Sequence, residues 1–118
     1  MKFLMTYAAS AKAPPTPEYM AAIAKFSEEM TKSGVLLMTG GLQRPTKGTQ
    51  LRMSGGKFTV TDGPFAETKE LIDGFALVET RSKEEALEVA HRFMKIAGDG
   101  EAEVLQVFDA GEAPPPRK

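Results

Sequence analysis

Residues 3–9 alternate two sets of side chains, Phe3, Met5 and Tyr7 against Leu4, Thr6 and Ala8, the period-two pattern of a strand partly covered on both faces. The prolines of AKAPPTP end it. Thr16 then caps a helix with Pro17 at its first position and Glu18 in its first turn. Tyr19, Met20, Ile23, Phe26 and Met30 fall on one face, Glu18, Lys25, Glu28, Glu29 and Lys32 on the other, and Gly34 stops the helix. VLLM at 35–38 is a continuous apolar run of strand length, ended by Gly40-Gly41. TQLRM (49–53) and KFTVT (57–61), separated by Ser54-Gly55-Gly56, predict a tight hairpin. LIDGFALVET (71–80) predicts a longer strand in which Gly74 marks a bulge or a close approach. Ser82 with Glu85 three residues on is a capping box, opening a second helix with a buried stripe of Ala86, Val89, Ala90, Phe93 and Ala97 and a stop at Gly98. AEVLQVFD (102–109) is the last strand.

With the hairpin set aside, the order is βαββαβ, the split unit of a ferredoxin-like α+β fold. Both helices would cover one face of a four-stranded antiparallel sheet. The other face keeps Phe3 or Leu4, Leu36 or Leu37, and Phe75 or Leu77, with no third helix to cover them. The simplest cover is a second copy, sheet against sheet, in a two-fold dimer enclosing a barrel-like cleft. One domain over residues 1–110 is expected, followed by a solvated Pro-rich tail at 111–118.

Composition narrows the chemistry. At 118 residues with 42% hydrophobic side chains, one core forms without metals or disulfides. Fifteen Lys/Arg against sixteen Asp/Glu, spread evenly, supply no basic stripe for nucleic acid or an anionic membrane. The absence of cysteine excludes thiol catalysis and thiolate metal sites, and a single histidine excludes a poly-His zinc site within one chain. Neither a metal nor a cofactor is expected. MKFLMTYAASA is interrupted by Thr6 and Tyr7 too early for a signal peptide, and no run approaches the ~20 apolar residues of a membrane span, so a cytoplasmic protein is expected.

One segment concentrates chemical groups: Asp62-Gly63-Pro64-Phe65-Ala66-Glu67-Thr68-Lys69-Glu70. As a structural turn, Asp62 accepts backbone N–H groups, Gly63 and Pro64 preset the bend, Phe65 anchors it and the charges are solvated. As a site, a rigid turn at a strand end holds Asp62 at the cleft mouth as general base or ligand anchor, with Glu67 as acceptor and Lys69 as cation. Tyr7 either turns its polar tip into the cleft or packs within the sheet. Gly40-Gly41 and Gly55-Gly56 lack the spacing of phosphate cradles, and no serine sits in a nucleophile elbow. The methionines are gap fillers at core positions.

DGPFAETKE followed by LIDGFALVE closely resembles the signature of the DGPF proteins within the YCII-related superfamily, and GGLQRPT (40–46) matches that family's usual loop. The likeness covers about residues 2–109. It implies a ferredoxin-like fold that dimerises into an α+β barrel, with a small-molecule cleft near Asp62 to which Gln43, Arg44, Gly63, Pro64 and Phe65 contribute. It implies no single activity. Better-understood YCII relatives pair a histidine with the aspartate, and a few act on chlorinated ring diols or related small compounds. Here the one histidine, His91, lies about 100° from the buried stripe of the second helix, beside Glu84, Glu88 and Lys95, and is expected on the surface. The dyad is missing, and Asp62 stands alone as candidate acid/base group. Family members also occur beside, or fused to, sigma-factor-like regulators, which implies a non-catalytic partner module as the competing role.

Overall fold

The computed structural model describes residues 1–10, 16–42, 48–62 and 72–112. Its elements run β1 (Lys2–Ala9), α1 (Pro17–Lys32), β2 (Leu36–Gly41), β3 (Thr49–Ser54), β4 (Lys57–Asp62), β5 (Gly74–Glu79), α2 (Lys83–Ala97) and β6 (Gly100–Val107). Four strands form an antiparallel sheet in the order β2-β5-β1-β6, and β3-β4 is a separate two-stranded sheet. Without the hairpin this is a βαββαβ arrangement, consistent with a ferredoxin-like fold.

Local chemistry sets the helix ends. Thr16 Oγ1 accepts the Tyr19 amide at 3.1 Å and Pro17 opens α1. At the other end Val35 N–H donates to Met30 O and Gly34 N–H to Thr31 O, the paired bonds of a Schellman motif, with Gly34 at φ +80°. Ser82 Oγ accepts the Glu85 amide at 3.1 Å at the start of α2, while the Glu85 carboxylate turns to Arg81 Nε at 3.3 Å. In the hairpin, Ser54 and Lys57 pair directly, and Gly55 and Gly56 take the positive φ angles of a two-residue turn.

The core lies between one sheet face and the helices: Phe3, Met5 and Val78 pack against Phe26 and Met30 of α1 and Ala86, Val89 and Ala90 of α2. Strand register settles which side chains face the other way. Met38, Leu77, Leu4 and Leu105 stand opposite one another across all four strands, on the face away from the core. Phe75 shares that face, its ring lying over Gly40. Leu37 at 47%, Met38 at 60% and Leu105 at 51% remain exposed.

Several expected boundaries shift. Met20 is 59% exposed, not on the buried face. At 100° per residue it sits about 100° from the Phe26–Met30 centre of that face. Gly40 and Gly41 lie inside β2 instead of ending it, because Phe75 and Gly74 pair with them. The bulge falls between Leu36 and Met38 of β2, and Gly74 is the close-approach point, where a Cβ would stand 3.1 Å from Gly40 O. Regular β5 starts at Gly74 instead of residue 71, Leu71 lying outside the described residues. β6 spans Gly100–Val107 instead of 102–109, since it pairs with β1 over its whole length. Residues 113–118 of the expected tail lie outside the described residues.

Candidate functional site

The sheet floor beneath α1 has large side chains at one end and almost none at the other. At the core end stand Phe3, Val78 and Leu36. At the opposite end the register aligns Gly41, Gly74, Tyr7 and Ala102 in a row facing the helices. Three of the four have little or no side chain, so the helices bridge a gap they cannot fill. The result is a cavity of about 860 Å³ between the layers. Its walls are apolar, with Tyr19, Ile23 and Phe26 from α1 and Phe93 and Ala97 from α2. Polar groups enter from Thr16, Thr39 and Asp73. This is the size and lining of a small-molecule site: mostly apolar, with a few placed polar groups.

Two of these groups are fixed by the backbone around them. Asp73 Oδ2 accepts the Ala9 amide at 2.7 Å, the Asp73 amide donates to Tyr7 O at 2.8 Å, and its carbonyl accepts from Leu42 N–H at 2.9 Å. One residue thereby ties together the ends of β1 and β2 and holds a half-buried carboxylate at the cavity wall. Tyr7 donates its phenol to Gly98 O at 2.8 Å and meets Phe93 edge to face, centroids 5.2 Å apart. Burial, foremost, raises its pKa above the ordinary 10.0.

Of the residues singled out from sequence, Tyr7 lines this cavity on the helix side of the sheet and not on the open face. Asp62 ends β4, is exposed, accepts from Thr49 Oγ1 at 3.0 Å, and is not among the cavity's lining residues. Gln43, Arg44, Gly63, Pro64, Phe65, Glu67 and Lys69 lie outside the described residues. His91 is exposed on α2. Among the described residues no group of His, Asp and Glu side chains could hold a metal ion, and no helix is long and apolar enough to cross a membrane. Asp73 and the Gly/Ala floor were missed in the sequence. The signal was the one carboxylate inside the apolar run 71–78, next to Gly74.

Comparison with known proteins gives the same chain a family. An uncharacterized protein of Rhizobium meliloti (strain 1021) is 37% identical over 86 residues, covering 70% of this chain and 69% of that protein. The YCII-related domain matches residues 1–110, a span that takes in the whole four-stranded sheet, both helices and the hairpin. The chain therefore belongs to the YCII-related domain family.

Proposed function

We propose that this protein binds a small molecule, largely apolar with one polar end, in the cavity between α1 and the sheet. The carrying observation is the cavity of about 860 Å³ itself, floored by Gly41, Gly74 and Ala102. A domain selected only for stability fills such space, because interiors pack densely and voids are costly. Asp73 and Thr39 are the polar points against which the ligand's polar end is set.

The resemblance to DGPF proteins adds a finer reading: two copies pair through their open sheet faces, and Asp62 acts as acid/base or anchor on a ligand at the joint cleft. Asp62→Asn keeps an acceptor for Thr49, so the fold should persist; retention of every ligand response by this variant would remove Asp62 from the site. The competing module for a sigma-factor-type regulator rests on the resemblance, and a pull-down without a stoichiometric partner removes it.

The cavity is tested with an uncharged fluorescent apolar dye carrying one polar end, such as Nile red. Ile23→Trp places an indole in the cavity and should abolish most dye binding, whereas Leu105→Glu on the open sheet face should leave it. Binding that ignores Ile23→Trp and disappears with Leu105→Glu would locate the dye on the sheet and overturn the proposal.

A further inference from the structure

The walls of the cavity are not equally held. Its floor is a sheet of hydrogen-bonded strands, and α2 is seated through Ala86, Val89 and Ala90 in the core and through Phe93 against the Tyr7 ring. α1 is seated at one end. Both of its buried residues, Phe26 and Met30, lie in the C-terminal half, where the Arg92 guanidinium also stands 5.3 Å over the Phe26 ring. Among the described residues, no hydrogen bond, ion pair or ring contact joins residues 17–24 to the sheet or to α2. Tyr19 and Ile23 instead line the cavity half-buried. An element with so little buried apolar contact moves at low free-energy cost.

The sequence of this half suits movement. From Tyr19 to Ala24 it carries no charge, and Glu18 and Lys25, which bracket it, are exposed. It can therefore descend toward the sheet without drawing a charge out of water. Met20, Ala21, Ala22 and Ala24 are strong helix formers, so the segment remains a stiff rod without packing. Beneath it Gly41 and Gly74 present bare backbone and Ala102 a single methyl, which leaves room for Tyr19 and Ile23 to come down.

We propose that the first two turns of α1, residues 17–24, are a lid that tilts onto the Gly/Ala floor when the cavity is occupied. The inference rests on the reading of this cavity as a small-molecule site. At about 860 Å³ the cavity is near the upper end of the ~300–1,000 Å³ typical of such sites, so a modest ligand leaves space that a wall must take up. Among the described walls, the first half of α1 is the one without a seat. A ligand favours the closed position because there it touches Tyr19 and Ile23 above together with the floor below. Phe26 sets the pivot. Pro17 lies about 13 Å from it along the helix, so a tilt of roughly 15° lowers the helix start by about 3.5 Å with the helix intact.

The test uses pairs of nitroxide labels, which a chain without cysteine accepts at chosen positions. Glu18→Cys with Glu103→Cys sets one label on the exposed first turn of α1 and one on the far side of the sheet. Glu28→Cys with Glu103→Cys spans the seated half, and none of the three residues lines the cavity. Distances are read by double electron–electron resonance, with labelled chain diluted in unlabelled parent, before and after saturation with Nile red. The Glu18–Glu103 distance should shorten by about 3 Å and the Glu28–Glu103 distance change by less than about 1 Å. Dye bound with the Glu18–Glu103 distance unchanged or longer would leave a rigid cavity standing and overturn the lid. Equal shortening of both pairs would mean that α1 moves as a whole, which also overturns it. A parent that binds no Nile red would overturn the cavity reading, and the lid with it.

Discussion

Tyr7 and Gly100 constrain each other. A Cβ built at Gly100 would meet Ala8 O on the neighbouring strand and lie 2.8 Å from both Cζ and Oη of Tyr7. Neither can yield: Ala8 O is backbone, and the phenol is held by Gly98 O and by the Phe93 ring. Gly100→Ala is therefore expected to cost about 1–3 kcal/mol in urea unfolding, as overpacking does. Tyr7→Phe relieves no clash and loses one hydrogen bond, so about 1 kcal/mol is expected at neutral pH. That difference should depend on pH. The folded protein holds the phenol proton more tightly than the unfolded chain, because burial raises the pKa above 10.0. The stability this group lends is complete below about pH 10 and is lost as pH rises through the folded-state value. Stability curves of parent and Tyr7→Phe should thus converge at strongly alkaline pH; curves that stay parallel there would show that the phenol titrates normally. Alternation in the sequence identified Tyr7 as a strand residue but left both its packing and its cleft readings open. Its partner Gly100 lies across the sheet, and only strand pairing brings the two together.

At the scale of elements the sequence was most legible where the determining chemistry is local. Thr16, Pro17, Gly34, Ser82 and Gly98 mark helix ends through bonds that span three to five residues, and each helix begins and ends where they stand. Strand ends were less legible, because they depend on partners far along the chain. Gly40 and Gly41 read as a stop, yet Phe75 and Gly74 draw them into the sheet, and β6 starts at Gly100 because Ala9 lies opposite. The capping box is also only half realised: Glu85 supplies the amide that Ser82 accepts, while its carboxylate serves Arg81. Ser82→Ala is accordingly expected to cost about 1 kcal/mol, and Glu85→Gln much less, since an exposed pair of this kind contributes little. Comparable losses from the two changes in chemical denaturation would show that the reciprocal bond forms in solution.

For the whole molecule, the amphipathic hairpin was legible and its isolation was not. Periodicity shows that β3 and β4 pair; it does not show that the core closes without them. Phe3, Met5, Phe26, Met30, Val78, Ala86, Val89 and Ala90 make that core, and none belongs to the hairpin. The radius of gyration, 16.5 Å, also exceeds the about 13.5 Å of a compact chain of this length. The same division governs the candidate site. The Gly/Ala floor forms by register within the four-stranded sheet, whereas Asp62 lies on the hairpin, outside the cavity. Replacing residues 49–62 by a short Gly-Ser linker should therefore separate the two. The βαββαβ core should keep its helical circular dichroism and bind the cavity dye within about threefold of the parent, because neither its packing nor its floor uses the hairpin. A shortened chain that loses its cooperative unfolding transition would show that the hairpin closes the core after all, and the cavity would then be a gap the hairpin helps to fill.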